Sequence, residues 1–111
     1  MSPLTITHHD TGTGPVLHVA GELDYDQASA LRERVERLDL HAGQKLIIDL
    51  SGLEYCDSTG LTALLAARQY ASAANADTVL TAVPADTLRI LTITGLDQVF
   101  IIHTGTDATP R

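Results

Sequence analysis

Cysteine and lysine each occur once in this chain of 111 residues, as Cys56 and Lys45. A single cysteine excludes an internal disulfide and fits a reducing, cytoplasmic setting. The scarcity of lysine belongs to a wider shortage of positive charge: 7 basic residues face 14 acidic ones, and the formal net charge is −7. That balance excludes a phosphate-backbone surface, which needs clustered Lys and Arg, so no nucleic-acid partner is expected. No apolar run approaches the roughly 20 residues that span a bilayer, and no membrane partner is expected either. Met1 to Asp10 lacks the basic segment and apolar run of a secretion signal. The five histidines, His8, His9, His18, His41 and His103, show no metal-ligand spacing, and no metal or other cofactor is expected. Gly12 and Gly14 are followed by no G-K-[ST], so they mark a turn and not a phosphate loop.

What is present suits one globular domain over 1–111. The hydrophobic fraction is 44% and the charged fraction 19%. A chain of this length buries about two thirds of its unfolded surface, enough to fold without metal or disulfide. The ordered core is expected over about residues 3–102. His103 to Arg111 is expected to be a loose polar tail.

Leu4 to Thr7 alternates apolar and polar residues, and Val16 to Ala20 follows the turn cluster Asp10 to Pro15. The pair predicts a hairpin, with Gly21 as a break after it. Asp24 with Gln27 resembles a capping box, and Leu31, Val35 and Leu38 give the following helix one apolar stripe. Arg32, Arg34 and Arg37 alternate with Glu33 and Glu36 on what reads as a solvated face. Leu46 to Leu50 predicts a central strand buried on both faces, with a loop from Ser51 to Ser58. Leu61 to Ala74 predicts a second helix and Thr78 to Val83 a strand. Pro84 opens a third helix that stops at Gly95, and Val99 to Ile102 is the last strand. Strands alternating with helices imply an α/β domain. The expected architecture is a mixed sheet of about five strands, opened by a β-hairpin, with about three helices mainly on one face.

The informative segment runs from Asp49 to Leu61, where a buried strand leads through a polar cluster into a helix. Sites in α/β sheets gather at such carboxyl ends. Ser58 stands at the helix start, where free N–H groups would stabilise a phosphate. Helix capping explains a Ser or Asp there equally well. The elbow pattern of serine hydrolases is not met, because Cys56 stands where its first glycine would be. Nothing basic beside Cys56 in sequence activates its thiol, so a small buried residue is expected there.

Asp57-Ser58-Thr59-Gly60-Leu61 resembles the D-S-[ST]-G-L signature of STAS domains, and more closely that of bacterial anti-sigma factor antagonists. Gly21-Glu22-Leu23-Asp24 is similar to that family's G-E-[LI]-D segment. Thr94-Gly95-Leu96 resembles its late S-G-L turn, with Thr in place of Ser. The resemblance extends from Leu4 to about Ile102.

The resemblance implies a regulatory switch and not an enzyme. It makes Ser58 the acceptor of phosphate from a partner that is both anti-sigma factor and serine kinase. The unmodified domain binds that partner and frees the sigma factor. The phosphorylated one lets go, until a phosphoserine phosphatase resets it. Asp57 would shape the acceptor loop. Gly21, Glu22, Asp24, Thr59 and Gly60 would share the contact surface, with Thr59 a second, lesser acceptor. Many relatives carry a last helix, for which His103 to Arg111 is too short and polar. Two alternatives stand beside this reading: an accessory subunit of a lipid-transport complex driven by an ATPase, and a nucleotide-sensing domain.

Overall fold

The computed structural model describes residues 3–103. In chain order the elements are β1 (Thr5–Thr11), β2 (Gly14–Leu23), α1 (Ala28–Glu36), β3 (Lys45–Cys56), α2 (Ser58–Ala73), β4 (Asp77–Thr81), α3 (Ala85–Thr94) and β5 (Ile101–His103). A short 3-10 turn, Leu96–Gln98, joins α3 to β5.

The sheet has five strands in the order β1-β2-β3-β4-β5. Gly12 and Thr13 close the β1–β2 hairpin, where Thr11 pairs with Gly14 and its hydroxyl donates to the Gly14 carbonyl at 2.7 Å. That pair is antiparallel; the other three are parallel. Each parallel pair needs a crossover, and α1, α2 and α3 supply them. The sheet is therefore mixed, as expected.

All three helices cover one face. Leu17, Val19, Leu46, Ile48, Leu50 and Leu80 point to it, and they join Leu31 and Val35 of α1, Leu61 and Leu64 of α2 and Leu91 of α3 in one core. Ala63, Ala67 and Ala71 lie in the same core and let α2 approach closely. The opposite face carries the alternate residues. Along β3 these are Ile47 and Asp49, which are only partly buried. The central strand is thus fully buried on one face and not on both. On the open face His18 Nδ1 lies 2.8 Å from Asp49 Oδ2, and the His9 and His18 rings stack.

Several boundaries depart from the sequence reading. Gly21 does not end β2; it sits inside the strand at φ +95°, beside a register shift against β3. Ser51 to Cys56 is not a loop, because β3 continues through it to pair with β2 at Gly52, Leu53, Tyr55 and Cys56. Val83 lies beyond β4, and Pro84 is the residue just before α3. Val99 and Phe100 leave the 3-10 turn and precede β5. His103, expected in the tail, ends β5; the rest of that tail lies outside the described residues. Arg34 is half-buried, its guanidinium donating to the Ile6 carbonyl at 2.9 Å, so α1's charged face is not wholly solvated.

Candidate functional site

The carboxyl ends of β2 and β3 meet the amino end of α2. Asp57 makes the junction. It is the residue capping α2, its backbone extended at φ −98° and ψ −171°. Its Oδ1 accepts from the Gly60 N–H at 3.0 Å and from the Thr59 hydroxyl at 2.6 Å. The N–H groups of Thr59 and Tyr25 also aim at this carboxylate. One side chain thus satisfies the first turn of α2 and ties it to the β2–α1 loop. These hydrogen bonds, that of Thr59 foremost, hold the Asp57 carboxyl below its usual range.

Gly60 explains the tightness of the junction. A Cβ there would stand 2.4 Å from the Leu23 carbonyl oxygen and 2.8 Å from Cys56 Sγ. Only glycine lets α2 start so close to the end of β2. The Asp57 N–H closes the same gap from the other side, donating to the Leu23 carbonyl at 3.3 Å.

Ser58 is the first residue of α2, and it is exposed. Its own carbonyl is engaged, accepting from the Thr62 hydroxyl at 3.0 Å. Because Asp57 and not Ser58 is the cap, the Ser58 hydroxyl is left outside the capping network. The Thr59 and Gly60 N–H groups that would cradle an anion at this helix end already serve Asp57. The local support for a phosphate foreseen from sequence is thereby largely taken.

The remaining sequence-selected residues fall around this point. Glu22 pairs with Tyr55 across β2 and β3 and is partly exposed. Gly21 and Gly60 are buried, so both shape the backbone beneath the surface. Asp24 does not cap α1 itself. Its Oδ1 and carbonyl oxygen accept from the Gln27 N–H at 3.2 and 3.0 Å, closing a turn one step earlier, and no side-chain bond caps α1 at Gln27. Thr59 is partly exposed with its hydroxyl committed to Asp57. Cys56 is buried, and burial followed by the Asp57 charge pushes its thiol up to about 12. No helix among the described residues is long and apolar enough to cross a membrane, and no group of three or more metal-ligating side chains gathers among them.

Sequence reasoning passed over three neighbours. Tyr25 is 77% and Tyr55 52% exposed, on opposite sides of the junction. Arg32 lines a groove with Tyr25 and Thr59. The signal was adjacency: each tyrosine stands within or beside a motif in the sequence.

Residues 6–103 match the family model described as Mlab, STAS domain. An anti-sigma-B factor antagonist of Listeria monocytogenes is 33% identical over 86 residues, which cover 78% of this chain and 75% of the relative. Among solved structures, an anti-sigma factor antagonist from Mycobacterium paratuberculosis superposes with a TM-score of 0.78 at 28% identity, over 96% of this chain and 90% of that one. The anti-sigma factor antagonist SpoIIAA in its unphosphorylated form gives a TM-score of 0.65 at 17% identity, over 96% and 92%. An α/β sheet opened by a hairpin, an exposed serine behind a capping aspartate, and a match over almost the whole described chain agree: the protein belongs to the STAS domain family.

Proposed function

We propose that this chain is an anti-sigma factor antagonist of the cytoplasm, switched off by phosphorylation of Ser58. Its partner is an anti-sigma factor that is also a serine kinase, and a phosphoserine phosphatase restores the binding form. The chain is a substrate in this scheme and not an enzyme. The observation that carries the reading is the placement of Ser58. It is exposed at the carboxyl ends of the parallel strands, and Asp57 has relieved it of any capping duty. Similarity to the Listeria and Mycobacterium antagonists supports the choice of partner.

The physics of the switch follows from that placement. A phosphoryl group adds about −1.5 to −2 charge. It would arrive beside the ionised Asp57, whose carboxylate holds the N–H groups of Thr59 and Gly60. The dianion is repelled by its neighbour and meets few free donors, so docking must desolvate it. A penalty of about 3 kcal/mol would weaken binding over a hundredfold. No change of fold is required.

The test is affinity capture from the source organism with wild type, Ser58→Ala and Ser58→Asp, followed by incubation of the captured partner with wild type and ATP. The reading predicts a kinase held by wild type and Ser58→Ala but not by Ser58→Asp, and one phosphate mapped to Ser58. A transporter ATPase captured in place of a kinase, or no added phosphate, would overturn it.

A further inference from the structure

The chain has three tyrosines, one phenylalanine and no tryptophan. Phe100 is buried in the core, and the Tyr70 hydroxyl donates to the carbonyls of Glu36 and Leu38 at 3.0 and 3.2 Å. The other two, Tyr25 and Tyr55, are exposed, at 77% and 52%. Both stand at the Ser58 end of the molecule. Tyr25 walls a groove of about 480 Å³ between α1 and α2, with Ser29, Arg32, Thr59 and Thr62. Tyr55 walls a second of about 240 Å³ between β3 and α3, with Leu53, Pro84, Thr87 and Ile90. The α2 start, carrying Ser58, stands between them.

Two exposed rings at one end of the molecule, each walling a groove, are candidate contact residues, since aromatic side chains are enriched at protein interfaces. Tyrosines are over-represented among the few residues that dominate binding energy. The charge around them has one prevailing sign. Glu22, Asp24, Asp26, Glu54, Asp57 and Asp86 lie at or between the grooves, against Arg32 and against Arg89, which pairs with Asp86 at 3.6 Å.

We propose that Tyr25 and Tyr55 are the two anchors by which the anti-sigma kinase grips this chain, and that the kinase presents a basic surface around sockets for both rings. This rests on the reading of Ser58 given above and adds to it the residues that set partner affinity. The rings bracket Ser58, so the grip holds the chain on the kinase with that hydroxyl between its two anchors. The acidic rim steers a basic partner and makes association salt-sensitive. Ser58 lines neither groove, so the rings act as binding anchors and their effect belongs in KM.

The experiment is steady-state phosphorylation by the kinase that the unmodified chain captures. Tyr25→Ala and Tyr55→Ala each raise KM about tenfold or more with kcat nearly unchanged, the signature of a lost binding anchor. Tyr25→Phe and Tyr55→Phe retain near-native KM, because the ring body and not the hydroxyl fills the socket. Ile93→Ala, an equally exposed position near the far end of α3, leaves both constants unchanged. Added salt raises KM for the wild type. Alanine variants that keep native NMR spectra and a KM within about twofold of wild type would overturn the proposal, as would a KM indifferent to salt. If the captured partner phosphorylates nothing at Ser58, the functional reading itself falls and this inference with it, an outcome distinct from an intact reaction with unmoved constants.

Discussion

Gly60 shows how one residue can fix the geometry of a site. Its missing side chain is the space that the Leu23 carbonyl and Cys56 sulfur occupy. Backbone cannot yield as a flexible side chain can, so Gly60→Ala should cost about 1–3 kcal/mol by overpacking. Urea unfolding at neutral pH measures it; an unchanged midpoint would mean that α2 does not start so close to β2. Asp57 acts at the same scale by hydrogen bonding. Asp57→Ala removes the cap and should cost about 0.5–2 kcal/mol, while Asp57→Asn keeps an accepting oxygen and loses less. The carboxyl's folded value lies below the ordinary aspartate value of about 3.9. Its contribution is therefore complete above the unfolded value and is lost as the pH falls through the folded one. The difference in stability between wild type and Asp57→Ala should accordingly shrink below about pH 4. Cys56 gives a third expectation at this scale. With its thiol at about 12, it should resist alkylation at neutral pH until the chain unfolds. Rapid labelling of the native protein would contradict the burial found here.

At the scale of elements, the end of β2 sets where the site's loop begins. Gly21 takes φ +95° at the register shift between β2 and β3. An L-residue is strained there, so Gly21→Ala should cost about 1–2 kcal/mol. Calorimetric unfolding, with NMR shifts reporting on the Leu23–Tyr25 segment, would check this; undisturbed shifts and stability would show that the bulge tolerates a side chain. The same stretch shows what a sequence does and does not disclose. Leu46 to Leu50 announces β3 by its apolar residues, yet β3 runs on through Ser51 and Gly52, residues that look like a turn. Pairing with β2 overrides their local preference, and that pairing is a tertiary fact. Val99 and Phe100 look like strand, but the 3-10 turn after Gly95 uses up the backbone before them. By contrast, the hairpin and the three crossover helices are local patterns and were readable, whereas the capping box expected at Asp24 and Gln27 is not formed and the choice of Asp57 over Ser58 as the cap of α2 was left open. The motif residues were picked out by their resemblance to a family signature, and the structure brings Asp57, Thr59 and Gly60 into one hydrogen-bonded cap. Tyr25, Tyr55 and Arg32 were not picked out, because exposure and shared grooves appear only after folding.

For the whole molecule, asymmetry is the main feature. Helices cover one face of the sheet, and the other face is left to Ile47, Asp49, His9 and His18. The proposed site lies at neither face but at one end, where the parallel strands finish and α2 begins. The net charge of −7 means that any partner is met through an acidic field, and under the proposed function a phosphoryl group at Ser58 would strengthen that field where docking is closest. On the proposed function, the surface would be switched by charge without a change of fold. The measurement that tests this most directly is the affinity of the captured anti-sigma kinase for the unmodified chain and for the chain stoichiometrically phosphorylated at Ser58, by calorimetry in one buffer. The account predicts that phosphorylation weakens binding about a hundredfold or more with the chain's fold unchanged by NMR. Equal affinities for the two forms would contradict it.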